Sequence, residues 1–267
     1  MCSARRELTE VCRYGLVNVM SAGVQKVLLE ACVTSVADAA SAARHGAGRL
    51  ELNVGIELGG LTPSSGLLQQ VKEVVDVPVL VMIRPRGGGF CYTPSERRLM
   101  IRDAHHLVAL GADGVVTGAL TGQGELDVRL LEDMREICQD RELVFHMAFD
   151  LLEDKKTAIE SLIALRVNRI LTSGGQESAF AGYQAIAEAV KAARNRIEIL
   201  PGGGVNAGNV GDLLSKTGCT QVHGTFKAMR EDPAGNVCSG IFPVLDPYKV
   251  QGVREALDCY GTQLLRG

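Results

Sequence analysis

Eight short segments rich in Val, Ile and Leu alternate with longer segments of helical periodicity along most of this chain. Parallel strands need a crossover connection, which is usually a helix. The predicted strands are 27–32, 49–54, 78–84, 113–117, 143–147, 168–172, 197–201 and 220–224. Because eight consecutive units occur without an evident second domain, a closed barrel is favoured over an open Rossmann sheet. We therefore predict an α/β protein with a single (β/α)8 barrel, the TIM barrel fold.

The helical segments and the ends of the chain give the predicted domain limits. Helices are predicted at 34–46, 64–75, 94–110, 127–139, 154–165, 177–193, 206–216 and 249–262. Residues 1–26 precede the first strand and are predicted to be an N-terminal extension, so the barrel domain is 27–267. Residues 226–248 contain Gly and Pro and are predicted to be a long connection before the last helix.

Composition excludes several classes of function. The net charge of −3 gives no broad basic surface, so we expect neither nucleic acid nor a membrane as a partner. No apolar run approaches the roughly 20 residues of a membrane span, and the N-terminal stretch lacks the apolar region of a secretory signal. The eight cysteines show no Cys-x-x-Cys pair, so we expect free thiols and a cytoplasmic protein.

Strand periodicity indicates which side chains enter the barrel. Side chains alternate between the two faces of a strand, and active sites of barrels lie where the strands end. Glu30 shares a face with Cys32, and Glu51 shares a face with Asn53. The residues predicted to converge at the carboxyl end are Glu30, Glu51, Arg84, Arg86, His146 and His223, with Thr172 from the sixth strand.

This polar cluster has two interpretations. As a catalytic site, Glu30, Glu51, His146 and Asp150 would be acid/base groups and Arg84 would hold the substrate, with Asp150 orienting His146 from four residues away. As a structural feature, the same charges would form a buried ion-pair lattice that only stabilises the barrel.

Glycine-rich segments after two strands suggest a separate anion site. Gly202, Gly203 and Gly204 follow the seventh strand and precede a helix, so their amides could bind sulfate or phosphate. The glycines could equally serve only as tight turns. Further anion-binding candidates are Arg86, Thr172, Ser173 and His223.

Six strings together resemble the CutC family of copper-homeostasis proteins. They are EACVTS at 30–35, GGLTPS at 59–64, MIRPRGG at 82–88, FHMAFD at 145–150, LTSG at 171–174 and PGGG at 201–204. The resemblance spans about 27–227 and implies a cytoplasmic TIM barrel, often a homo-oligomer, that binds copper(I). Cys32 is the metal ligand that it implies.

Two positions depart from the family pattern. Family members commonly carry Cys where this chain has Asn53, and Arg where it has Met147. Cu(I) prefers sulfur ligands, so a site without the second thiol is predicted to bind Cu(I) weakly. Three hypotheses follow: a copper-homeostasis protein, an enzyme that acts on a small phosphorylated or carboxylated metabolite, and a non-catalytic scaffold.

Overall fold

Eight parallel strands form one barrel in the structure, a computed structural model that describes residues 26–234 and 240–264. The strands are β1 (Leu28–Val33), β2 (Arg49–Leu52), β3 (Val79–Met82), β4 (Gly114–Thr117), β5 (Glu142–Phe145), β6 (Arg169–Thr172), β7 (Glu198–Pro201) and β8 (Gln221–Gly224). Their order is β7-β6-β5-β4-β3-β2-β1-β8, and a parallel bridge between Gly202 and His223 closes the ring. The predicted TIM barrel is confirmed.

Eight helices surround the barrel. They are α1 (Val36–Arg44), α2 (Ser65–Val74), α3 (Pro94–Ala109), α4 (Val128–Cys138), α5 (Lys155–Ala164), α6 (Tyr183–Ala193), α7 (Val210–Thr217) and α8 (Pro247–Leu264). Side-chain caps set several starts; Thr93 and Glu96, for example, form a reciprocal capping box at α3. No helix within the described residues is both long and apolar enough to span a membrane.

Residues 226–248 are predicted to be a long connection without strands. The structure instead has an antiparallel hairpin there, formed by β9 (Lys227–Glu231) and β10 (Ile241–Leu245). The charged residues of β9 and Pro243 in β10 weaken the strand pattern, since proline within sheets is largely confined to edge strands. All of the predicted extension except its last residue, Lys26, lies outside the described residues, as do Cys2, Cys12 and Cys238.

The interior of the barrel is divided between an apolar side and a polar side. Strands β3 to β7 fill it with a small core of Leu80, Met82, Val116, Val144, Leu171 and Leu200. Strands β8, β1 and β2 contribute buried polar residues, among them Glu30, Glu51 and His223. The outward-facing residues of the strands, such as Leu50 and Ile83, belong to the larger core beneath the helices. The acidic and imidazole side chains that lie within the strands are therefore concentrated on the side of β8, β1 and β2.

Candidate functional site

Three possible metal ligands meet on the polar side of the barrel. One ligand atom each from Cys32, Glu51 and His223 lies within 4.8 Å of the others, and all three residues are buried. The strand register produces this cluster, because Cys32 of β1 is paired with Glu51 of β2, and Glu30 of β1 with His223 of β8. Adjacent strands thus bring a thiol, a carboxyl and an imidazole together.

Glu30 lies one layer deeper and holds His223 in place. Its Oε1 is 2.7 Å from His223 Nδ1, and its Oε2 pairs with Arg49 Nε. Arg49 in turn donates to Gln221 Oε1 at 2.7 Å. Although burial opposes ionisation, Arg49 and His223 lower the pKa of Glu30 to about 2. Burial likewise opposes the charge on His223, but Glu51 and Glu30 outweigh it and raise the pKa of His223. Glu30, Arg49 and His223 therefore form a buried ionic triad.

Cys32 and Glu51 retain their protons more strongly than usual. Burial, followed by the charge of Glu51, raises the pKa of the Cys32 thiol. Burial also raises the pKa of Glu51, against the opposing effect of His223. Asn53 joins the two groups, since its Nδ2 donates to Cys32 Sγ at 3.0 Å and to Glu51 Oε1 at 3.1 Å. A metal bound here would have to displace the thiol proton.

Arg84 and His146 follow the ends of β3 and β5, and both are buried. Arg84 Nη1 donates to the carbonyls of Leu58 and Gly60 at 2.8 and 3.1 Å, and Nη2 donates to that of Gly88 at 2.7 Å. Burial, and then the positive charge of Arg84, lowers the pKa of His146 to about 3. His146 is therefore neutral at physiological pH.

Arg86 does not join the cluster. Its guanidinium pairs with Glu96 at the start of α3 and donates to the carbonyls of Gly87, Gly89 and Cys91 in its own loop. The strand ends at Met82, so the alternation of side chains no longer fixes the direction of residue 86. The expectation that Arg86 enters the barrel mouth is therefore not met.

Asp150, Thr172 and Ser173 form a separate network. The Asp150 carboxylate accepts from the Thr172 hydroxyl, from the Ser173 amide at 2.9 Å and from the Gly175 amide at 3.1 Å. His146 Nδ1 instead accepts from the Ala148 amide at 3.1 Å, so Asp150 does not orient His146 as expected. Leu171 occupies the barrel interior, so Thr172 has the opposite orientation from that predicted. Thr172 and Ser173, which were expected to bind a ligand anion, therefore donate to the carboxylate of Asp150 instead.

The loop after β7 has the backbone geometry of a tight turn. Gly203 and Gly204 have φ values of +99° and +68°, which favour glycine. The carbonyl of Gly204 accepts from Asn206 and Asn209 at 3.0 and 2.9 Å. A groove of about 610 Å³ adjoins the loop, and Lys227 and Lys249 are among its lining residues. Phosphate binding at Gly202–Gly204 stays a prediction.

Comparisons with known proteins agree with this geometry. The sequence profile of the CutC family matches residues 27–228. The chain belongs to the CutC family. It is 39% identical over 238 residues to a family protein CutC of Treponema denticola, covering 87% of this chain and 97% of the relative. It is 43% identical over 204 residues to the human copper homeostasis protein cutC homolog, covering 76% of this chain and 75% of the relative. The family is thus one named for copper homeostasis.

Solved structures support the fold of this CutC-family chain. A CutC crystal structure from Streptococcus agalactiae has a TM-score of 0.72 and 37% identity, covering 74% of this chain and 98% of that one. QR15, an aldolase, has a TM-score of 0.60 and covers 92% of this chain and 100% of its own, but its 12% identity shows the fold alone.

Sequence reasoning missed the partners beneath the site. Arg49, the first residue of β2, pairs with Glu30 and is itself held by Gln221, the first residue of β8. Arg49 has the same parity as Glu51, so the period-two pattern already placed it inside the barrel. Its position at the amino end, far from the expected site, concealed its role.

Proposed function

We propose that this CutC-family chain binds Cu(I) inside its barrel through the Sγ of Cys32 and the Nε2 of His223. The observation that carries the proposal is the convergence of these residues and Glu51 within 4.8 Å. Thiolate is a preferred ligand of Cu(I), and imidazole suits copper. Glu51 offers a harder oxygen ligand, so we do not count it among the Cu(I) ligands.

The orientation of His223 supports this assignment. Metal-binding histidines generally donate their other ring N–H to a carboxylate, a backbone carbonyl or water, which fixes the ring and its tautomer. Here Glu30 holds Nδ1 at 2.7 Å, so Nε2 is the nitrogen available to an ion. Arg49, which pairs with Glu30, completes the support. The residues present therefore fit a copper site.

Protonation should limit the affinity. Because the pKa of Cys32 is raised, Cu(I) must release the thiol proton before a thiolate–copper bond forms. The pKa of His223 is also raised, so its proton competes as well. We expect Cu(I) affinity to increase with pH and to remain below that of a site with two thiolates.

Competition with a calibrated Cu(I) chelator under reducing conditions tests the proposal. The wild-type protein should take up one Cu(I) per chain, and Cys32→Ser or His223→Phe should abolish this uptake. Cys91→Ser is the matched control, because Cys91 is exposed and outside the cluster. Uptake that survives Cys32→Ser, or that Cys91→Ser removes, would contradict the proposal.

A further inference from the structure

Arg84 is a buried cation without a carboxylate partner among residues 26–234 and 240–264. It is 5% exposed, and its guanidinium donates from Nη1 and Nη2 to the backbone carbonyls of Leu58, Gly60 and Gly88. Its Nε–H is buried and has no acceptor in the described part of the chain. Buried charges are normally paired, because removing an ion from water is costly. The Nε–H of Arg84 is therefore a buried, charged donor that an anion could pair with.

His146 presents a second unused donor. Its Nδ1 accepts a hydrogen bond from the amide of Ala148, so the neutral ring must carry its proton on Nε2. Nε2 is buried and lacks a partner within the described residues. A buried N–H without an acceptor is unfavourable, so an oxygen atom that accepts from Nε2–H would be stabilising here.

Both side chains contact the same aromatic ring, that of Phe90. The Cζ of Arg84 is 5.0 Å from the ring centroid of Phe90, and the ring centroid of His146 is 4.7 Å from it. The backbone fixes Arg84 closely, because a Cβ added at Gly59 would lie only 2.9 Å from Nη1. Such a fixed pair of donors is suited to binding a ligand with little reorganisation.

We propose that Arg84 and His146 bind the carboxylate of a small organic acid, each donating one hydrogen bond, from Nε–H and from Nε2–H. A carboxylate is favoured over phosphate because a single negative charge balances the single charge of Arg84, whereas a dianion would leave excess buried charge. The site is distinct from the proposed copper site and does not depend on it.

The proposed site also differs from the loop after β7. That loop offers backbone amides, whereas Arg84 and His146 offer two buried side-chain donors. Asn53 connects the carboxylate site to the copper cluster, since Gly60 contributes its carbonyl to Arg84 and packs against Asn53. The two sites are therefore linked through Gly60 and Asn53 rather than sharing a side chain.

Acetate titration of the reduced, copper-free protein, followed by NMR with ¹⁵N-labelled histidine, tests the proposal. We expect a saturable shift of the His146 Nε2–H resonance. Arg84→Lys keeps the charge but removes the Nε–H, so it should weaken acetate binding by about tenfold. Arg86→Lys makes the same change in the same loop at a residue paired with Glu96, and it should leave the affinity unchanged.

A second variant is needed because Arg84 also bonds the carbonyls of two loops, and its substitution could disturb those loops. His146→Phe keeps a ring beside Phe90 but removes the donor, and calorimetry should show acetate affinity reduced by about tenfold. No saturable shift would mean that water satisfies both donors and would overturn the proposal. Equal weakening by Arg84→Lys and Arg86→Lys, or tighter binding of inorganic phosphate at this histidine, would also overturn it.

Discussion

The amide Nδ2 of Asn53 donates a hydrogen bond to the Sγ of Cys32 across 3.0 Å. The side chain at position 53 is thus in direct contact with the proposed copper ligand. This is the position at which the resemblance to the CutC family implies a cysteine, so the departure noted in the sequence lies within the site itself. It removes the sulfur that would otherwise stand beside Cys32.

Asn53→Cys should therefore increase Cu(I) affinity by at least about tenfold, because it adds a second thiolate to the site. Chelator competition measures the change. Asn53→Ser removes the same amide without adding sulfur and should show no such gain. Equal affinities of the two variants would contradict the idea that position 53 controls copper binding.

Glu30→Gln should lower the free energy of unfolding by about 3 kcal/mol, because it leaves Arg49 and His223 buried without their shared anion. Urea unfolding measures the loss. The matched control is Glu160→Gln, which breaks the exposed pair with Arg196 and should cost less than about 1 kcal/mol. Similar losses for the two variants would show that the buried triad contributes little to stability.

Asp150→Ala should destabilise the protein by about 3 kcal/mol, because the hydroxyls and amides of Thr172, Ser173 and Gly175 lose a charged acceptor. The control is Asp154→Ala, which removes an ordinary cap of α5 and should cost about 1 kcal/mol. Thermal and urea unfolding compare the two. If Asp150→Ala were the milder change, the network would not be a major structural support.

Acid should destabilise the fold in two windows. His146 has a folded pKa of about 3 against an ordinary value of 6.5, so the unfolded chain gains a proton first as the pH falls from 6.5. Between pH 6.5 and 4.5 this should remove about 2 to 3 kcal/mol of stability. Glu30 acts below that range, because its stabilisation is lost as the pH falls from 4.5 through its folded pKa of about 2.

Urea unfolding of wild type and His146→Phe across pH 7 to 4.5 tests the first window. The variant cannot take up this proton, so its stability should decline less over the range. Parallel declines would show that His146 is not held neutral in the folded protein.

The fold was largely predictable because the period-two pattern of the strands survives in the sequence. The side chains of Glu51 and Asn53 point into the barrel. Those of Leu50 and Leu52 point toward the helices, as the alternation requires. The rule fails where strands end: Arg86, four residues beyond Met82, turns to the loop and to Glu96.

The site was only partly predictable, because several of its contacts join residues that are distant in sequence. Nothing local indicates that Asp150 receives the donors after β6 or that Arg49 supports Glu30. The depth of Glu30 likewise follows from the stagger between strands, which parity alone does not give.

X-ray absorption spectroscopy of the Cu(I)-loaded protein tests the central claim most directly. The account predicts one sulfur and one imidazole nitrogen bound to each copper, with the sulfur signal lost in Cys32→Ser and the imidazole signal lost in His223→Phe. Two sulfur ligands per copper, or copper coordinated without imidazole, would contradict it.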